Sequence, residues 1–135
     1  MSHTAQALII HCIDFRFQQG LQKFIADKGL AGLVDVVSLA GSAKNFAHPK
    51  QESDREFLMR QVDISVKLHA IQRVLIVNHQ DCGAYGGSAA FTNFEREEEV
   101  YQQDMNMLKE AILEKHPNVS VELYIALLAG DVVEV

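Results

Sequence analysis

Val74-Leu75-Ile76-Val77-Asn78-His79-Gln80-Asp81-Cys82-Gly83 is the stretch on which the fold turns. Its apolar run has no helical spacing, so Arg73 to Asn78 is expected to be a strand covered on both faces. The run ends in a polar motif, His79-x-x-Cys82-Gly83. Upstream, Ala7-Leu8-Ile9-Ile10-His11 has the same character and opens into Cys12-Ile13-Asp14-Phe15-Arg16. The chain contains 2 cysteines, and each is expected where a buried strand gives way to polar sequence.

Outward from these strands, helical and extended patterns alternate. Phe17, Leu21, Phe24 and Ile25 share one helical face, and Gly29 is a plausible stop. Val34 to Leu39 reads as a strand broken by Ala40-Gly41-Ser42, and residues 43 to 51 as a loop. Ser53-Asp54-Arg55-Glu56 has the spacing of a capping box, ahead of a helix that places Leu58, Val62, Ser65 and Leu68 on one side. Gly83, Gly86 and Gly87 suggest tight turns. Tyr101, Met105, Leu108 and Ile112 then define a long helix, ended by His116-Pro117-Asn118. Its acidic start, Glu95, Glu97, Glu98 and Glu99, suits the positive end of a helix dipole and is read as solvated. Val119 to Ala126 is a fourth strand, and Val132 to Val135 a returning edge.

The fold class that follows is α/β: a mostly parallel sheet of order 2-1-3-4 with a short antiparallel edge strand and helices on both faces. Residues 1–135 are expected to form a single domain. In that order the first and third strands are neighbours, and ligands bind beyond the carboxyl ends of strands at such a switch point. Cys12, His79 and Cys82 all fall there. Two thiols and one imidazole make a three-ligand zinc site, with a fourth position left for water. Asp14 and Arg16 are expected to point the same way as Cys12 through the two-residue period of a strand. Arg16 can hold Asp14 by a bidentate ion pair and keep it ionised. Asp14 can then accept a hydrogen bond from zinc-bound water, or swing in as a fourth ligand and close the site.

Other residues are weaker candidates. His48 and Tyr85 lie in loops near the site and could accept a proton, but surface or packing use is the simpler reading. Strand alternation turns His11 to the opposite face, and His3, His69 and His116 are expected to face solvent. Gly83, Ala84, Gly86 and Gly87 could cradle an anion, although tight-turn geometry explains them equally well.

Composition narrows the classes. A net charge of −6 argues against a nucleic-acid partner, and no apolar run reaches the length of a membrane span. The start of the chain is too short and polar for a signal peptide. Two cysteines do not make a disulfide framework, so reduced thiols and a cytoplasmic location are expected.

Cys12-x-Asp14-x-Arg16 followed by His79-x-x-Cys82-Gly83 resembles the β-class carbonic anhydrases. The likeness extends over Glu56 to Ala84, the Ala40-Gly41 turn and the closing Leu127-Leu128-Ala129-Gly130-Asp131-Val132. The resemblance implies Zn²⁺ on Cys12, His79 and Cys82, with Asp14 and Arg16 as a catalytic dyad beside it. It implies reversible hydration of carbon dioxide to bicarbonate by a zinc-bound hydroxide, with Ala40, Gly41 and Gly83 at the substrate pocket. A homodimer or higher homo-oligomer is expected, with the site near the interface. The family's N-terminal helical arm has no counterpart here, Ser38-Leu39 replaces the usual Arg-Asn, and Ser42 stands where Asn is common; a minimal member is expected. Two thiolates offset the charge of Zn²⁺, so water is acidified less than at a three-histidine site, where its pKa is about 7. Activity rising above neutral pH is therefore expected. The alternatives are a closed, non-catalytic zinc module, a hydrolase of carbonyl sulfide or carbon disulfide, and a dithiol redox protein joining Cys12 to Cys82.

Overall fold

A computed structural model describes residues 3–135. Five strands form one sheet, in the order β2-β1-β3-β4-β5. They are β1 (Ala7–His11), β2 (Val34–Ser38), β3 (Arg73–His79), β4 (Ser120–Ala126) and β5 (Val132–Glu134). The first four pair in parallel, and β5 runs antiparallel to β4. The expected order and the antiparallel edge are both present.

Among the described residues, four α-helices complete the fold: α1 (Gln18–Asp27), α2 (Lys44–Ala47), α3 (Glu52–His69) and α4 (Phe94–Lys115). Strand alternation divides the core into two layers. Leu8, Ile10, Val74, Ile76, Leu123 and Ile125 face α3 and α4, where Leu58, Val62, Tyr101, Met105, Leu108 and Ile112 meet them. Ala7, Ile9, Leu75, Val77, Tyr124 and Ala126 face Phe17, Leu21 and Leu30. With helices on both sides, β1 and β3 need apolar residues at every position, which is why their sequences read as unbroken runs. Leu108 is fully buried in the larger layer. Leu108→Ala is expected to cost about 2–5 kcal/mol by cavity formation, read from a denaturant-unfolding midpoint.

Several local expectations need correction. Residues 43–51 are not wholly loop, because Lys44–Ala47 form one helical turn. The helix after them starts at Glu52, ahead of the position that a Ser53 cap would give it. Gln51 is the N-cap, extended at φ −141, and it exchanges bonds with Asp54; Ser53 lies inside the helix. Leu68 is 57% exposed, since it falls near the end of α3, beyond the residues that pack on the sheet. Phe17 is buried but belongs to a 3-10 turn (Phe15–Phe17) rather than to α1. His69 and His116 are partly covered and paired, with Asp35 Oδ2 at 2.7 Å and Asp63 Oδ1 at 2.7 Å. Their position at helix C-terminal ends brings them against carboxylates of neighbouring elements.

Candidate metal centre

Parallel pairing of β1 with β3 sets Ile10 beside Ile76, so both chains leave the sheet at the same edge. Cys12 follows β1, His79 ends β3, and Cys82 lies just beyond. All three side chains are buried, and their ligand atoms lie within 4.8 Å of one another. Both cysteines are free thiols.

The imidazole is prepared for a cation. His79 Nδ1 donates to the Gln80 carbonyl oxygen at 2.8 Å, which leaves Nε2 as the lone-pair nitrogen of the neutral ring. That Nε2 is buried with no hydrogen-bond partner; the nearest carboxylate, Asp14 Oδ2, is at 3.7 Å. An orphaned buried polar atom ordinarily costs about 1–3 kcal/mol. A metal ion shared with the two sulfurs would satisfy it, so the residues fit a zinc ion.

The charges agree. Cys12 is the thiol that ionises first: the Cys82 thiol donates to it, and His79 and the Gly41 N–H support its thiolate against the cost of burial. The Gly41 amide lies 3.4 Å from the Cys12 sulfur. Ionised Cys12, together with burial, pushes Cys82 up. Burial opposes charge on His79, but Cys12, the Gln80 carbonyl and Asp14 outweigh it and hold its pKa above the ordinary value. Two thiols and an imidazole in this field compete for positive charge, which a divalent ion supplies.

Gly41 is required by geometry. Its φ is +86, and an added Cβ would lie 3.0 Å from the Ala84 Cβ. A side chain there would push apart the turn that brings the Gly41 amide to the sulfur.

Asp14 and Arg16 meet, but not by strand alternation. The strand has ended at His11, and Asp14 caps the 3-10 turn, accepting from the Arg16 backbone N–H at 2.9 Å. The guanidinium then folds back: Nε lies 3.1 Å from Oδ1 and Nη2 lies 2.7 Å from Oδ2. Arg16 holds the Asp14 carboxyl below the usual carboxylate range, chiefly through these bonds.

Sequence reasoning missed the support behind this pair. Arg16 Nη1 reaches Asp81 Oδ2 at 3.0 Å, and Nη2 reaches the Asp81 carbonyl at 3.0 Å. Asp81 therefore ties together the two strand ends that carry the cluster. It sits at φ 62, an uncommon backbone for a residue other than glycine. Its own amide donates to Glu97 Oε2 at 2.6 Å, and its Oδ1 accepts from the Ser88 amide at 2.8 Å. Glu97, expected in solvent, is 1% exposed. It also accepts from the Ser88 hydroxyl at 2.8 Å and the Tyr101 hydroxyl at 2.7 Å. Nothing in four closely spaced glutamates marks out which one turns inward; the loop that receives it decides.

A cavity of about 490 Å³ opens beside Cys12, lined also by Asp14, Arg16, Ala40 and Gly83 with Ile13 and Phe15. Gly41 is not in its wall; it serves the Cys12 sulfur instead. Tyr85 and His48 are not in the wall either. The Tyr85 hydroxyl donates to Asp104 Oδ2 at 2.7 Å, and His48 Nε2 lies 3.1 Å from Asp104 Oδ1. His11 follows the opposite-face alternation of Ala7 and Ile9, and its Nδ1 pairs with the Cys12 carbonyl at 2.7 Å.

A parallel sheet with a Cys-His-Cys cluster at its switch point defines an α/β protein of the β-carbonic-anhydrase kind. Residues 2–132 match the model of the family described as "Putative carbonic anhydrase", and the chain belongs to that family. An uncharacterized protein of Rickettsia bellii is 28% identical, the match covering 98% of this chain and 83% of that protein. Among solved structures, carbonic anhydrase from Streptococcus mutans superposes with a TM-score of 0.65 at 20% identity, covering 100% of this chain and 85% of that one. A tetrameric β-carbonic anhydrase of Sordaria macrospora gives a TM-score of 0.61 at 14% identity, covering 99% and 82%. The apo form of a carbon disulfide hydrolase gives 0.54 at 12% identity, covering 98% and 79%. These likenesses establish the fold.

Proposed function

We propose that this chain reversibly hydrates carbon dioxide to bicarbonate at a zinc ion held by Cys12, His79 and Cys82. The position of Asp14 carries this reading. Its carboxylate is engaged by Arg16 and stays 3.7 Å from His79 Nε2, outside the cluster of three donors. That arrangement favours an open site over a closed, non-catalytic one, with the cavity reaching Cys12.

Zinc, when bound, supplies a Lewis acid that makes water a nucleophile near neutral pH. Asp14, kept ionised by Arg16, is placed to accept a hydrogen bond from the reacting water and orient it. Arg16 and Asp81 hold Asp14 in that role. Ile13, Phe15, Ala40 and Gly83 give the cavity an apolar wall suited to a small uncharged molecule. Carbonyl sulfide and carbon disulfide have the same linear shape, and a structural neighbour bears the name carbon disulfide hydrolase; the same assays should include both.

The test is stopped-flow hydration by zinc-loaded protein from about pH 6.5 to 9. Activity that rises with pH and disappears on chelation is the expected result. Zinc-replete protein inert across that range would sink the reading. Arg16→Ala is expected to lower kcat by about 10–100-fold while zinc content by elemental analysis is retained, because Arg16 touches no ligand atom.

The assembly belongs to the same proposal. Phe15 is 85% exposed and Ile13 60% exposed at the rim of the cavity, where a second subunit would cover them, so a homodimer or larger homo-oligomer is proposed. Sedimentation of the protein should show a species heavier than one chain. No helix among the described residues is long and apolar enough to cross a membrane, and the free thiols suit the reducing cytoplasm.

A further inference from the structure

Far from the Cys-His-Cys cluster, at the amino-terminal end of the parallel strands, a second group of polar side chains converges. Asp35 is the second residue of β2. Ser65 and His69 lie one turn apart on α3, on the same face. The Ser65 hydroxyl donates to Asp35 Oδ2 at 2.6 Å, and His69 Nδ1 donates to the same oxygen at 2.7 Å. The segment before β1 is pinned alongside by the Ala5 amide, bonded to the His69 carbonyl at 2.9 Å, and by the Gln6 amide, bonded to the Leu33 carbonyl at 2.8 Å. This brings His3 Nε2 to 3.1 Å from His69 Nε2.

We propose that His3 and His69 form a second metal site, for a borderline divalent ion such as zinc, with Asp35 as the carboxylate behind it. Three features point to this. Because Nδ1 of His69 is committed to Asp35, the neutral ring presents its Nε2 lone pair to His3. A carboxylate–histidine pair of this form fixes the ring and makes the free nitrogen a better ligand. Burial works against the Asp35 carboxylate, but Ser65 and His69 outweigh it and hold its pKa below the usual range, so it stays an anion.

The second feature is spacing. Zinc–nitrogen bonds of about 2.0–2.1 Å at a tetrahedral angle separate two ligand nitrogens by roughly 3.3 Å. The two rings already stand within a few tenths of an ångström of that separation. They are tilted by 45° at a centroid distance of 4.9 Å, not stacked face to face, and an ion between the nitrogens would take the place of the hydrogen bond they now make.

The third feature is field. His69 is the last residue of α3, where the helix dipole favours a cation. No thiol or further carboxylate joins the pair among the described residues, whose one group of three or more candidate ligands is Cys12, His79 and Cys82. Water would complete the shell, and the site would hold its ion more weakly than the buried cluster.

The experiment is a calorimetric titration of zinc-loaded, desalted protein with zinc chloride, followed in parallel by nitrogen-15 signals of the histidine rings. One additional saturable event is expected, with the His3 and His69 Nε2 signals moving and those of His79 unchanged. His3→Ala and His69→Ala should each weaken that event by about tenfold or more, and Asp35→Asn by about 10–100-fold. His3 is exposed, so its replacement leaves the fold intact and keeps the test decisive. Absence of a saturable event, ring signals that stay in place, or binding unchanged in both histidine variants would overturn the proposal.

Discussion

Serine in place of Cys12 is expected to yield a folded protein that retains almost no zinc and hydrates carbon dioxide at the buffer rate. Serine's hydroxyl is not ionised at neutral pH and is a harder, weaker donor than a thiolate for zinc. The Cys12 sulfur also organises its partners: it accepts from the Gly41 amide and lowers the cost of a positive charge at His79. Losing it leaves a two-ligand remnant and an orphaned His79 Nε2. Ligand binding stabilises a fold by mass action, by about 4 kcal/mol when free ligand exceeds the dissociation constant a thousandfold. Chelation should therefore lower the melting temperature of the natural protein and leave that of Cys12→Ser unchanged. Elemental analysis and paired thermal scans, with and without chelator, check both parts. Full zinc occupancy in Cys12→Ser would show that Cys12 is not a ligand.

Removing the Glu97 carboxylate is the larger structural test. Glu97→Ala is expected to destabilise the protein by about 3 kcal/mol or more. The carboxylate accepts from the Asp81 amide, the Ser88 hydroxyl and the Tyr101 hydroxyl. Alanine would leave these donors without their acceptor in a buried space. Asp81 would lose one of the anchors that keep it at φ 62, and Cys82, the next residue, would lose the support of the turn that places it. Both effects belong to one substitution, so the measurement pairs denaturant unfolding with zinc affinity. A loss of stability with weakened zinc binding is the expected result. Glu98→Ala, on the same helical turn, serves as comparison and should stay within about 0.5 kcal/mol of the natural protein. A Glu97→Ala protein as stable as that comparison would show that the buried carboxylate holds nothing.

The meeting of Cys12, His79 and Cys82 and the sheet order were legible because they rest on short-range signals. Unbroken apolar runs at Ala7–Ile10 and Val74–Val77 can only be satisfied between two helical layers. Parallel pairing then leaves little freedom in where Cys12 and His79 emerge. Tyr101, Met105, Leu108 and Ile112 keep their helical period and are all buried. The Asp14–Arg16 pair was legible as a pair but for a different cause, since the capped turn after β1, not strand alternation, folds the guanidinium onto the carboxylate.

What stayed hidden depends on which surface a loop happens to cover. Ser53 and Glu56 have the spacing of a cap, yet Gln51 takes that place because the preceding chain arrives extended there. Glu97 and Glu98 look alike in sequence; only the loop carrying Asp81, Cys82 and Ser88, laid across α4, turns one of them into a buried acceptor. His3 and His69 are far apart in the chain and meet because Ala5 pairs with the end of α3.

By itself, the sequence determined the α/β fold, the strand order and the gathering of two thiols and an imidazole at one edge, since periodicity and right-handed connections act element by element. Tertiary structure alone decided that the Arg16 guanidinium folds back onto Asp14, that Asp81 and Glu97 brace the pair, and that two distant histidines touch. Those outcomes depend on distances between side chains from separate elements, and such distances come into existence only when the layers pack.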